Sequence, residues 1–313
     1  MLNRFVTPRF LLGARPIVGA FIAFVALGLV VAVPAGLFAW GDVGHRLTGE
    51  AAARTLPAEM PAFFRSAVGQ LAYLNPEPDR WKDRAERTLD PALDLGTSPE
   101  HFIDMEMAPP AVLDAALRAP DRYDYLDTLA AAHIKGSVMG LLPFRALELE
   151  QELREDFRLW RAANDTTRPW IEGRIIDVAG LLGHYVADGS NPAHTTVQYN
   201  GWTGPNPNGY ATDRQFHARF ESVYVGTHMT IGDLMPLVDP TPRVFPDVRG
   251  AIVAYLRESN GQVERLYQID KAHRFDANTT APENKAFAAE RLAAGARMLR
   301  DLWWTAWMTS SRS

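Results

Sequence analysis

The chain has 313 residues, enough for one large domain or two ordinary ones, and its 47% hydrophobic, 10% aromatic and 22% charged residues are the composition of a globular protein. A formal net charge of −5 excludes recognition of nucleic acid through a basic surface, because few counterions would be released on binding; a polyanion could be handled only if metal ions supplied the positive charge. The chain has no cysteine, which excludes disulfides, thiolate metal sites and thiol nucleophiles, so any metal must be held by His, Asp, Glu or backbone groups.

In chain order, the first segment is unlike the rest. Arg4, Arg9 and Arg15 precede an almost wholly apolar run from Pro16 to Ala39, and no acidic residue occurs before Asp42. This pattern predicts an export signal over residues 1–39, cleaved after the small Ala39, with a single domain over 40–313 in the periplasm or outside the cell. The alternative is an uncleaved membrane anchor, since the run is long enough to span a bilayer. Loss of three arginines and no acid would take the formal charge from −5 to −8.

Trp40-Gly41-Asp42-Val43-Gly44-His45 begins where the export signal ends. Cleavage there makes Trp40 the amino terminus, which can chelate a metal through its amine nitrogen and its own carbonyl oxygen. Gly41 and Gly44 would let the backbone bend so that His45 reaches the same ion. Pro78-Asp79-Arg80-Trp81-Lys82 and His101-Phe102-Ile103-Asp104 follow; each is also compatible with ordinary surface or helix-cap chemistry.

Further on, the apolar residues fall at helical spacing. Leu149, Leu153, Phe157 and Trp160 mark one face of a helix starting after Pro143. Ile175, Val178, Leu181 and Leu182 mark a second, on which His184 and Asp188 stand four apart and so share a face. Gly189, Ser190 and Asn191 should interrupt it, with Asn191 capping a new turn opened by Pro192. The break would turn His194 away from the His184 face, as a site for several metal ions requires; a capped kink with incidental histidines is the other reading. Gln198 to Asp213, rich in Gly and Pro, reads as a surface loop between helices. His217 and Glu221 repeat the four-residue pairing, and Ala288, Leu292, Gly295, Leu299, Leu302 and Ala306 mark a terminal helix. Trp303, Trp304 and Trp307 would pack that helix. Strand-like alternation is scarce, so the fold class is all-α. His133, His228 and His273 have no partner in the pattern, and Asp177 reads as a surface acid.

Trp-Gly-x-x-Gly-His after an export signal, His-Phe-Ile-Asp, His-x-x-x-Asp-x-x-x-Pro-x-His and His-x-x-x-Glu occur in that order from Trp40 to Glu221. This ordered set resembles the trinuclear zinc nucleases typified by fungal nucleases S-one and P-one and the plant bifunctional nucleases, whose fold and metal cluster are shared by bacterial zinc-dependent phospholipases C. The resemblance implies three zinc ions. Asp79, His101, His184 and Asp188 would hold the first, and His194, His217 and Glu221 the second. Trp40, through its amine and carbonyl, and His45 would hold the third, with Asp188 bridging to it. Asp83 competes with Asp79, which is preferred because it sets Lys82 in register. Phe102 would stack on a base, Asp104 would hydrogen-bond its edge and Lys82 would face the scissile phosphate. The implied activity is hydrolysis of single-stranded DNA, RNA or nucleotides to 5′-phosphate products by a zinc-bound hydroxide, with Asp79, Lys82 and Asp188 at the reacting centre. Glu221 stands where the nucleases carry aspartate and the phospholipases glutamate, so a phospholipase C acting on a phospholipid is the alternative. A non-catalytic, membrane-tethered zinc-binding protein is a further one.

Overall fold

The computed structural model describes residues 40–311, and these are helical without a strand. The export segment and its cleavage point lie outside the described residues, and no helix among the described residues is long and apolar enough to cross a membrane.

Seven helices position the site: α1 (Gly41–Arg54), α2 (Val68–Leu74), α3 (Leu142–Ala162), α4 (Arg168–Ser190), α5 (Val248–Asn260), α6 (Val263–Ala272) and α7 (Pro282–Thr309). Helix α4 is central and packs along α3, α7, α1 and α2. Each long helix starts as its sequence dictates, with proline in the first turn of α3, α4 and α7, where a missing N–H costs nothing. The α3 helix begins at Leu142, one residue before the proline that marks its start in the sequence.

The apolar faces read from the sequence are the buried ones, except that Trp160 and Leu181 are only partly buried, at the edge of the core. Leu149, Leu153 and Phe157 of α3 face Ile175 and Leu182 of α4 across the core, with Leu292, Leu299 and Leu302 of α7 in the same cluster. Each such side chain contributes about 1.5–3 kcal/mol of burial. Trp303 is fully buried, its indole donating to the Ala179 carbonyl at 3.2 Å and meeting Phe64 edge-on at 5.3 Å. Trp304 and Trp307 pack from the rim.

Two local features differ from the expectation. Gly189 and Ser190 do not break α4; the chain leaves the helix only at Asn191 (ψ 119°). The physical reason is packing: a Cβ on Gly189 would lie 2.9 Å from the Tyr255 ring and Leu256 of α5, and Ser190 Oγ donates to the Ala187 carbonyl at 2.7 Å and accepts the Trp40 indole N–H at 3.1 Å. Glycine thus serves close approach here, while Asn191 caps the next turn by accepting from the Ala193 amide at 3.0 Å. Second, the His217–Glu221 segment is not regular α-helix: Phe216–Ala218 runs into a wider π turn over Arg219–Tyr224. Such turns are rare and occur frequently at functional sites.

The segment 198–213 has no helix and is firmly anchored. Trp202 and Tyr210 pack on Tyr267 of α6 with ring centroids 5.2 and 5.6 Å away, and Tyr267 stacks on Phe216 at 4.2 Å.

Candidate metal centre

Helix α4 carries His184 and Asp188 on its buried face, one turn apart as their spacing requires. Around them the fold gathers His45 from α1, Asp79 from the short turn Glu77–Arg80, and His101 from the turn Ser98–His101. His194, Glu221 and His217 close the other side. Of these eight side chains seven are buried, and His217, 12% exposed, reaches the surface.

Three groups of donor atoms each lie within 4.8 Å of one another: His45, His184 and Asp188; Asp79, His101 and His184; His194, His217 and Glu221. In the middle of the cluster His101 Nδ1 lies 2.9 Å from His184 Nε2 and 3.1 Å from Asp188 Oδ2, His184 Nε2 lies 3.3 Å from the same oxygen, and both nitrogens lie 3.8 Å from Asp79 Oδ1. A tetrahedral ion with bonds of about 2.1 Å has ligand–ligand edges of about 3.4 Å, so these spacings bracket a coordination shell. Asp188 faces two ways: its Oδ1 is 3.5 Å from His45 Nε2 and 3.8 Å from His194 Nδ1.

The donors are short of partners. His45 Nε2, Asp79 Oδ2, Asp188 Oδ1 and Glu221 Oε2 are buried without a hydrogen bond, as is His101 Nε2. Glu221 Oε2 also lies 2.9 Å from His217 Nε2. Buried polar atoms are nearly always paired; lone pairs that converge unpaired are what a cation would satisfy. These buried His, Asp and Glu groups can hold a metal ion.

Charge in the cluster is unevenly shared. Burial pulls His45 and His101 down to about 4, keeping both neutral. Burial likewise opposes ionisation of Asp188, but His194 and His184 outweigh it and hold the carboxyl well below the usual range. Asp79 is lowered against burial by His184 and Lys82, and Glu221 by His217 and His194. His194, which burial alone would depress, is pushed up to about 9 by Asp188 and Glu221. The carboxylates around His194 thus favour positive charge at this point.

A cleft of about 430 Å³ opens over the cluster, lined by His101, His194 and His217 together with Lys82, Phe102, Asp104 and Tyr199. Its wall follows from backbone geometry. The chain after His101 is extended, so alternate side chains point to opposite sides: His101 and Ile103 are buried while Phe102 and Asp104 are partly exposed. The Ile103 amide donates to the His194 carbonyl at 2.8 Å, and His194 Nδ1 meets the His101 carbonyl at 2.6 Å, locking the two segments together. Asp104 is pushed up to about 7 by burial and by Glu106. Lys82 Nζ binds Asp79 Oδ1 at 2.9 Å, the register that favours Asp79 over Asp83. Asp83 instead caps an exposed helix by accepting from the Ala85 and Glu86 amides.

Trp40 lies at the start of α1, where φ of 43° and 52° at Trp40 and Gly41 bends the chain into the helix. Its carbonyl accepts from the Gly44 amide at 3.1 Å, and its indole donates to the Ala187 carbonyl at 2.6 Å, beside Asp188. Its backbone nitrogen follows residue 39, outside the described residues. His133 and His273 are exposed, His228 binds the Asp276 carbonyl at 3.2 Å, and Asp177 is exposed; none joins the cluster.

Two residues of the site, Asn75 and Tyr199, escaped the sequence reading, as did a second role of Asn191. Asn75 touches both His45 and His184. Asn191, besides capping, donates to Glu221. Tyr199, 46% exposed, presents its ring edge-on to His217 at 5.9 Å. An asparagine before a proline and a tyrosine in a loop carry no periodic signal, so only the fold reveals them.

Fold and site together define an all-helical domain with a buried histidine–carboxylate centre able to hold metal, open to a cleft. No protein-family model, curated protein or solved structure matches the chain.

Proposed function

We propose that this chain is a zinc-dependent phosphodiesterase of the trinuclear nuclease type, an exported nuclease or 3′-nucleotidase acting on single-stranded nucleic acid. The observation that carries the reading is that the cluster opens into the same cleft as Lys82, Phe102 and Asp104. Metal ligands, a cation for phosphate, an aromatic face and a carboxyl for a base edge are the groups that phosphodiester hydrolysis of an unpaired nucleotide needs.

The donor set suits zinc, which takes imidazole and carboxylate ligands in small coordination shells. Asp79, His101, His184 and Asp188 would hold one ion, His194, His217 and Glu221 a second, and His45 with the amine and carbonyl of Trp40 a third. When bound, zinc supplies Lewis-acid charge and acidifies water to near neutrality. The chain supplies the rest. Lys82 would pair with a phosphate oxygen, adding positive charge that the acidic chain lacks. Phe102 would stack on a base, and Asp104, with its pKa near neutrality, can both donate to and accept from the base edge.

A phospholipase C is the second reading. It is favoured by Glu221 and by Phe102 and Tyr199 flanking a carboxyl, Asp104, in one cleft, a combination suited to a quaternary ammonium head group.

The test is intact mass and metal content of the exported protein, followed by assays on single-stranded DNA and on phosphatidylcholine, with His184→Ala as control. A chain beginning at Trp40, with close to three zincs and DNA hydrolysis lost in His184→Ala, supports the proposal. Turnover of the lipid alone moves the assignment to the second reading. A chain that retains residues 1–39, or holds one zinc or none, points to the membrane-tethered, non-catalytic protein.

A further inference from the structure

We propose that Asn75 is a positioning residue that fixes the tautomer of two stacked histidines at once, His45 through its side chain and His184 through its backbone carbonyl. The inference rests on the cluster being a metal centre, and it names the residue that prepares two of its ligands.

Asn75 follows the last residue of α2 and is fully buried. Its Oδ1 lies 3.3 Å from His45 Nδ1, and its carbonyl oxygen lies 2.9 Å from His184 Nδ1. Both oxygens can only accept, so each imidazole donates through Nδ1–H, and a neutral ring then carries its lone pair on Nε2. Those are the nitrogens turned toward the carboxylates: His45 Nε2 stands 3.5 Å from Asp188 Oδ1 and His184 Nε2 stands 3.3 Å from Asp188 Oδ2. The two rings stack with centroids 4.1 Å apart and planes 16° from parallel. One residue therefore aligns two donors.

The surroundings of the amide separate this role from ordinary packing. It sits between α1 and α4 where both helices carry glycine, and a Cβ on Gly49 or Gly183 would lie 2.7 or 2.1 Å from Asn75 Nδ2. That nitrogen is buried and makes no hydrogen bond, a defect that costs about 1–3 kcal/mol. Among the described residues the contact with His45 is the one hydrogen bond the side chain makes. An apolar side chain of similar size would remove that orphaned donor and leave the His45 Nδ1–H unpaired in its place.

The outer partner of a metal-bound histidine is typically worth 10–100-fold in metal affinity. The full chain, stripped of metal and titrated with zinc alone, should therefore bind about 10–100-fold more weakly as Asn75→Leu, with its metal-free melting temperature near that of wild type, since one unpaired buried N–H replaces another. Asn75→Asp, which keeps an acceptor at the same place, should restore affinity and covers the case in which the leucine variant does not fold. Nitrogen-15 spectra of the imidazoles in metal-free protein give a readout independent of zinc. Wild type should show the Nδ1–H form at both histidines; Asn75→Leu should release His45 and leave His184, whose partner is backbone, unchanged. Wild-type zinc affinity in Asn75→Leu, an unaltered His45 signal, or equal disturbance of both rings would overturn the proposal. If wild type binds no zinc, the metal-centre reading fails, and the imidazole spectra still decide whether Asn75 sets the His45 tautomer.

Discussion

Asp188 shows how much one buried side chain can be asked to do. Its two oxygens face different partners, Oδ2 the pair His101 and His184, Oδ1 the pair His45 and His194. Asp79 also faces two ways, Oδ1 toward His101 and His184 and Oδ2 toward His45. Of the three cluster carboxylates, however, Asp188 alone reaches both this group and His194, so its neutral isostere should disconnect the two sides. Asp188→Asn should lower the zinc content and reduce phosphodiester hydrolysis by at least about 100-fold, near 3 kcal/mol of barrier, whereas Asp83→Asn, which alters only an exposed cap, should keep both. Wild-type zinc content in Asp188→Asn would show that the carboxylate is not a ligand. Phe102 is separable from the metal. If a base stacks on it, Phe102→Ala loses about 1–3 kcal/mol of binding and raises KM for a single-stranded oligonucleotide by roughly 5–150-fold, with zinc content unchanged. Unaltered KM, together with impaired phosphatidylcholine turnover, would instead favour the head-group reading. At this scale the side chains that gather in the cluster were named in the sequence: His184 with Asp188 and His217 with Glu221 by their four-residue spacing, and His45, Asp79 and His101 through the resemblance that the ordered motifs carry. Asn75 and Tyr199 were not, since an amide oxygen and a loop aromatic acquire a role only from what the fold brings beside them.

Helices were read with most success where a single periodicity decides them. The apolar steps of α3, α4 and α7 each mark a face that must be buried, and the structure buries those faces. What the periodicity does not encode is the hydrogen-bond register at the ends. The π turn at Glu221 and the helical Gly189 and Ser190 are set by tertiary packing, Gly189 by the close approach of Tyr255. The α3 helix carries one residue at odds with its face: Glu150 is fully buried, both carboxyl oxygens lack a hydrogen bond, and Arg154 approaches only to 3.5 Å. Burial pushes its pKa from 4.5 up to about 7 against the pull of Arg154. A folded-state pKa above the unfolded one means that the folded chain binds the extra proton between these values, so stability falls as pH rises through that window. Glu150→Gln should remove this slope and stabilise the protein by about 1–3 kcal/mol above pH 7. Thermal melts of both proteins from pH 5 to 8 check it: parallel curves would mean that the glutamate is already paired in solution. On the connection into α3, Gly140 has φ of 95°, and a Cβ there would lie 2.0 Å from the Phe102 carbonyl oxygen. Gly140→Ala should therefore displace the cleft wall and lower stability by about 1–3 kcal/mol.

Across the whole molecule, the cluster links parts of the chain that are remote in sequence. It takes side chains from His45 to Glu221 and so ties α1, the turns Glu77–Arg80 and Ser98–His101, α4 and the π turn to one point. Three of its members are carboxylates with almost no exposure. The structure sets Lys82 and His194 against them, and several of their oxygens still lack a partner. Hydrophobic burial around α4 must support that arrangement, because charges held together away from water oppose folding unless they are compensated. Bound cations would convert this strain into stability, since they bind the folded site and find no such site in the unfolded chain. A metal present at a thousandfold excess over its Kd contributes about 4 kcal/mol, and a chain of this size shifts its melting temperature by about 2–4 °C per kcal/mol. Chelation should therefore lower the melting temperature by roughly 8–16 °C, and returning zinc should restore it while magnesium, which prefers oxygen-rich octahedral sites, should not. The same treatment of Asp188→Asn should give a much smaller shift. If the wild-type protein melts at one temperature with and without chelator, the carboxylates are balanced by the histidines and Lys82 alone, and the cluster is an internal ion network rather than a metal centre.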